Sequence, residues 1–287
     1  EVTDRGEGIN AALNQPQLQS AWGRQQVALI QQQLGDAWAD QLTAVASDAQ
    51  ARPNARFRAL DLMQLYGPAP EPQLLVDISN DRSAVLRAKA ARLMGLHLDD
   101  TTRTRLIELL ADNDLAVQRA ACESVTRGAV EVPADALLPL LESQDRYVSW
   151  AAGRALQQIP RDEWADAVLR EETARAFVNG ATALLVPQID RATAEGVLQQ
   201  SSRLMRKYLT DEEFIDLLRV IQLVLSHGQI QGDDIPQLRS QLAEEYPSRD
   251  HYMNRELVRL LVFLQEPTFA ERLVEQLRSE VPSVERM

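Results

Sequence analysis

From Val148, apolar residues recur at Ala151, Ala152, Ala155, Leu156 and Ile159, one stripe at the 3.6-residue period of a helix. A similar stripe begins 31 residues earlier at Val117, inside "DNDLAVQRAACESVTRG" (Asp112 to Gly128). A third copy, "NDRSAVLRAKAARLMGL" (Asn80 to Leu96), is anchored on Val85, 32 residues before Val117. Ahead of each stripe lies a Leu-rich run: "LLVDI" (Leu74 to Ile78), "LIELL" (Leu106 to Leu110) and "LLPLL" (Leu137 to Leu141). Each unit predicts helix A, a short polar turn and helix B. Asp114 and Asp145 stand where the turn meets helix B, as N-caps worth about 1 kcal/mol each. Asp81 or Ser83 can do the same for the first copy. One such hairpin cannot bury its apolar face alone, which is why copies stack.

The flanks read as degenerate copies. "WGRQQVALIQQQLGD" (Trp22 to Asp36) and "ARFRALDLMQLYG" (Ala55 to Gly67) both look like B helices, the second ended by Gly67 and Pro68. Longer helices are predicted near Asp162 to Asn179, Ala192 to Tyr208, Asp211 to Ser226 and Pro236 to Tyr246. "NRELVRLLVFLQEP" predicts a further helix capped by Asn254 and stopped by Pro267, and a last one runs from Thr268 to Ser279. No linker of Gly and Ser divides the chain. The expectation is one all-α domain, a right-handed α-α superhelix. Degenerate hairpins occupy 1–71, three clear repeats 72–160, and degenerate hairpins 161–287.

Composition agrees with helix. Hydrophobic residues make up 45% of the chain but aromatics only 5%, so the apolar content is mainly Leu, Ala and Val. The net charge of −12 argues against nucleic acid or an acidic membrane as a partner bound through bulk electrostatics. A single cysteine, Cys122, forms no internal disulfide and excludes Cys-rich zinc sites. The longest apolar runs fall short of the roughly 20 residues that span a bilayer. Glu1 opens the sequence with no basic and apolar leader pattern, and a start without Met suggests a processed protein or an excised fragment.

The three central copies resemble HEAT repeats of the short bacterial, bilin-lyase-like type. That pattern runs Leu-Leu-x-x-Leu, then Asp-x-x-Val-Arg, then Ala-Ala-x-x-Ala-Leu. The Arg that the family places directly after the anchor Val stands one position later here, as Arg87 and Arg119, with Trp150 in the third copy. The layout as a whole is similar to the HEAT region of large planctomycete-type proteins. There a β-propeller dehydrogenase-like domain precedes the solenoid and a cytochrome c domain follows it. This resemblance implies an exported helical middle segment with no redox centre of its own; a cytoplasmic protein is the alternative.

No stretch states a chemistry. His97, His227 and His251 are far apart with no His-Glu or His-x-x-x-His spacing, and the His-Glu pairs of helical-repeat hydroxylases are missing. Adjacent acidic pairs such as Asp99-Asp100 and Glu212-Glu213 sit beside helix starts or turns, where negative charge suits the helix dipole. Cys122 takes a B-helix position that the family fills with Ala, which predicts a packed thiol. "VNGATA" (Val178 to Ala183) has no Lys and is no phosphate loop. The expectation is therefore no catalytic residue, metal or cofactor. The candidate partner-binding positions are Arg87, Arg119 and Trp150, on one edge of successive B helices, with Arg154 beside them. Two readings remain open: a ladder of Arg bridging to Asp of the next repeat, or a recognition strip. The expected function is an interaction scaffold for a protein partner or adjoining domains of the same polypeptide. The alternative is a helical-repeat enzyme, like a DNA glycosylase or a lyase. Oligomeric state is not legible.

Overall fold

The computed structural model describes residues 6–186 and 190–278. Among them no strand occurs, and the chain is an all-α helical solenoid of stacked hairpins that divides into two compact units, Glu1–Val132 and Pro133–Met287.

The first unit holds α1 (Ile9–Leu13), α2 (Ala21–Leu34), α3 (Ala37–Ser47), α4 (Pro53–Tyr66), α5 (Pro72–Ile78), α6 (Ala84–Met94), α7 (Asp100–Leu109) and α8 (Leu115–Gly128). Neighbours α3 and α4, α5 and α6, and α7 and α8 pair as hairpins. Within the unit α4, α6 and α8 pack in succession as one layer, and α3, α5 and α7 as another. Helix α2 buries only Gly23 and Val27, so it lacks the broad buried stripe of the B helices.

The first repeat is in a different register from the one the sequence pattern predicts. Val85 is 62% exposed, whereas Leu86 is fully buried. Ala84, Val85 and Leu86 are consecutive apolar residues, so any of them can start a stripe on paper. One step along a helix turns the side chain by about 100°, and only Leu86 puts Ala90, Leu93 and Met94 on the core side. The anchors Leu86, Val117 and Val148 are then 31 and 31 residues apart. Arg87 therefore directly follows its anchor, where the HEAT pattern has Arg. The same spacing reaches one copy further upstream. From Ala55, α4 buries Ala59, Leu60, Leu62 and Met63 at the offsets that Ala90, Ala91, Leu93 and Met94 hold in α6.

The second unit holds α9 (Arg146–Leu156), α10 (Ala165–Leu169), α11 (Ala174–Leu185), α12 (Arg191–Leu204), α13 (Asp211–His227), α14 (Pro236–Glu244), α15 (His251–Phe263) and α16 (Phe269–Arg278). Helices α9, α11, α13 and α15 pack in succession, and α10, α12 and α14 line up beside them. The run "LLPLL" is a 3-10 helix, Leu138–Glu142, instead of an α-helix; Pro139 has no N–H to give to an α-helical ladder. The helix expected from Asp162 to Asn179 is broken into α10 and α11. Between them the Glu171 carboxylate accepts the N–H groups of Glu172 and Thr173. The last predicted helix ends at Arg278, and Ser279 lies outside the described residues.

Capping explains where the B helices begin. Asp114 accepts from the N–H groups of Ala116 and Val117, and Asp145 from those of Tyr147 and Val148. Ser83 holds the equivalent place but its side chain makes no cap bond; Asp81 instead accepts from the Ser83 N–H at 2.7 Å. Helix α15 is capped by Asp250, not Asn254. Asn254 is buried within the helix and uses both ends of its amide to hold the backbone of Ser248. N-cap positions recur through the second unit as Asp145, Thr173, Thr210 and Asp250, and all but Thr173 bond the first turn with their side chains. The residues three beyond them, Val148, Ala176, Glu213 and Met253, are spaced 28, 37 and 40 residues apart. Uneven spacing hides these copies from a fixed-period search. Asp145→Ala leaves two N–H groups at the start of α9 without their acceptor. It is expected to cost about 1 kcal/mol in denaturant unfolding; an unchanged midpoint would refute the cap.

Candidate interaction surface

Arg87 is bound into the fold. Its Nε and Nη2 each lie 2.8 Å from an Asp112 carboxylate oxygen, a two-pronged pair between consecutive hairpins, and its Nη1 donates to the Asp81 carbonyl. The arrangement repeats 31 residues earlier, where buried Arg56 pairs with Asp81 and donates to the Ala46 carbonyl. Both pairs join residues 25 apart in sequence. Asp81 and Asp112 also each accept the backbone N–H two residues on, so each carboxylate shapes its own turn and fastens the preceding B helix. The next positions in the series are Gln118 and Ser143, both uncharged.

Arg119 and Trp150 stand at one common register, two residues after Val117 and Val148, where α6 has Ala88. The corrected register thus separates Arg87 from the other two. Arg119 is half-buried and its Nε donates to Glu123 at 2.6 Å, within α8. Trp150 is 63% exposed, in contrast to Trp38 and Trp164, which are buried. Tyr147, 47% exposed, precedes it by three residues, and exposed Arg154 follows by four, so the three share one face of α9. The Arg146 guanidinium lies 4.8 Å from the Tyr147 ring centre. Among the described residues Arg154 bonds along the chain, to Gln157 at the end of α9.

Beside this face a groove of about 460 Å³ opens at the starts of α9, α11 and α13, with Arg146, Ser149, Arg175, Asn179, Glu212 and Asp216 in its walls. Arg175 stands one residue before the α11 anchor, as Tyr147 does on α9. It is half-buried and forms no hydrogen bond or ion pair among the described residues. Elsewhere half-buried arginines are engaged: Arg58, Arg87, Arg105, Arg239 and Arg272 all bond to carboxylates or carbonyls. On the opposite wall Asp216 pairs with Arg219. The Thr210 N–H holds the Glu213 carboxyl below its ordinary range, with the Thr210 hydroxyl and the Arg175 charge adding to that. Neither Arg175 nor Tyr147 stands out from residue patterns. A helix-by-helix charge count would have pointed there, because α9 and α11 hold three arginines and no carboxylate in a chain of net charge −12.

Several of the other chemistry-bearing residues are engaged within the fold. His97 meets Gln64 Oε1 at 2.6 Å, and burial pushes its pKa down. Asp99 caps α7 in a reciprocal box with Thr102, and Asp211 and Glu212 occupy the first turn of α13. Among the described residues no three His, Cys, Asp or Glu side chains converge to hold a metal. No described helix is long and apolar enough to cross a membrane. Cys122 is fully buried in α8, and burial pushes its thiol up to about 12. With so little thiolate and no access, it should label with a thiol reagent only as fast as the unit opens. Stoichiometric labelling in native buffer within minutes would contradict this packing.

Against known proteins, no curated sequence matches the chain. The family described as HEAT repeats matches residues 71–157, the stretch that carries α5 to α9, and that stretch is similar to HEAT repeats.

Proposed function

We propose that this chain is a non-catalytic interaction scaffold that holds a protein partner through the face of α9 carrying Tyr147, Trp150 and Arg154. HEAT repeats commonly serve protein–protein interaction, and stacked hairpins offer extended surfaces for it. The observation that supports the reading most is Trp150, a large aromatic 63% exposed on a helix whose opposite side supplies the core. Burying such a side chain against a partner is the usual source of a binding hot spot, and Arg is the other residue enriched there. Arg87 is left out of the surface because its guanidinium is already bound by Asp112. The resemblance of the layout to planctomycete-type multidomain proteins makes an adjoining domain of a longer, exported polypeptide the partner to try first.

Trp150→Ala is expected to weaken binding to the partner or adjoining domain at least tenfold in a titration, with an unchanged melting temperature. A fallen melting temperature with unchanged binding would make this side chain structural and end the proposal.

A further inference from the structure

The α9 face and the groove beside it together specify what kind of segment fits, and this inference rests on the scaffold reading above. Helices α9 and α11 pack against each other, and Arg175 and Val178 stand at the register positions on α11 that Tyr147 and Trp150 hold on α9. Packed helices sit about 8–10 Å apart, a distance that one extended peptide crosses in about three residues. On the α9 side the surface is aromatic and exposed. On the α11 side it offers Arg175, a half-buried cation with no anion bound to it among the described residues. Arg146 and Arg154 flank the aromatics, and neither helix carries a carboxylate.

We propose that this face takes an acidic segment of a partner protein, with one carboxylate on the Arg175 guanidinium and a neighbouring aromatic or aliphatic side chain on Tyr147 and Trp150. A planar guanidinium matches a carboxylate with two parallel N–H donors, and in a partly closed groove that pair gains strength. Charge complementarity also selects against a nucleic-acid strand. The α13 side of the groove carries Glu212, Glu213 and Asp216 with Arg219, which pairs with Asp216, so a chain of phosphates laid along it meets three carboxylates against one guanidinium.

The test selects random dodecapeptides displayed on phage against the immobilised full chain, then measures recovered sequences as fluorescein-labelled synthetic peptides by anisotropy. The expected result is a consensus with Asp or Glu within three positions of Phe, Trp or Leu. Affinity should fall at least tenfold on Arg175→Gln and on Trp150→Ala and stay unchanged on Trp22→Ala, an exposed tryptophan of the first unit. Amidating the acidic side chains of the peptide should cause the same loss on the unaltered protein, which keeps the test valid if Arg175→Gln misfolds. No recovered peptide, a consensus without acid, or a labelled oligothymidylate that binds more tightly than the peptides would each overturn the proposal. Loss on Trp150→Ala without loss on Arg175→Gln or on amidation overturns the acidic segment but leaves the scaffold reading standing. No effect from any of these changes removes both.

Discussion

Asp112→Ala is expected to lower the stability of the first unit by about 2 to 3 kcal/mol, the range for losing hydrogen bonds to a charged group. Asp112 accepts two N–H bonds from Arg87 and one from its own turn at the Asp114 N–H, and its side chain is only 10% exposed. Removing it leaves a half-buried guanidinium without its counter-ion and frees the turn ahead of α8. The effect should depend on pH in one direction. The hydrogen bond from Arg87 holds the Asp112 carboxyl below the usual carboxylate range, despite its burial. Burial opposes ionisation of Asp81 too, but the Ser83 N–H and Arg56 outweigh it and its pKa is also lowered. A carboxyl with a depressed folded-state pKa adds stability that is fully present above its unfolded value of about 3.9 and is lost as pH falls through the folded value. Unaltered protein should therefore lose stability steeply below about pH 4, and Asp112→Asn should be weaker at pH 7 with a shallower acid limb. Superimposable acid limbs would show that the clamp has no linked proton.

Gly95→Ala should destabilise the same unit by about 1 to 3 kcal/mol, the usual range for overpacking. A methyl group there would stand 2.7 Å from Ser124 Cβ and 2.9 Å from Ser124 Cα, and the second contact is backbone. Helices α6 and α8 would have to separate. Gly95 adopts ordinary right-handed helical backbone, so its value lies in closeness and not in conformational freedom. Gly153→Ala is the control. In the middle of α9 the added methyl meets only Ala183 Cβ, at 3.4 Å, and Ala is favoured over Gly in a helix by about 1 kcal/mol. It should be neutral or stabilising. If Gly95→Ala matched it in thermal unfolding, the close approach of α6 and α8 would be wrong.

Much of this architecture was legible from residues alone, because helix period and capping are local physics. The stripes from Val117 and Val148, the caps Asp114 and Asp145, and the helical class follow from spacing within a dozen residues. Where several local answers were equally good, only packing chose. Ala84, Val85 and Leu86 offered three possible stripes, and α6 turns Leu86 inward. Asn254 and Asp250 both suit a cap; Asn254 is drawn inside to hold the Ser248 backbone. Both sequence readings of the Arg positions survived until hairpins were stacked. Arg87 then meets Asp112, 25 residues away, while Arg119, on α8, pairs with Glu123 of its own helix. Arg175 is not marked by any motif: it forms no direct ion pair among the described residues, and its charge acts on Glu213. The sequence by itself determined the helical class and the buried faces of α8 and α9, since a 3.6-residue period is written along them. Which charge meets which, and which is left without a partner, was decided by the tertiary structure, because that depends on how far one hairpin is shifted and turned against the next.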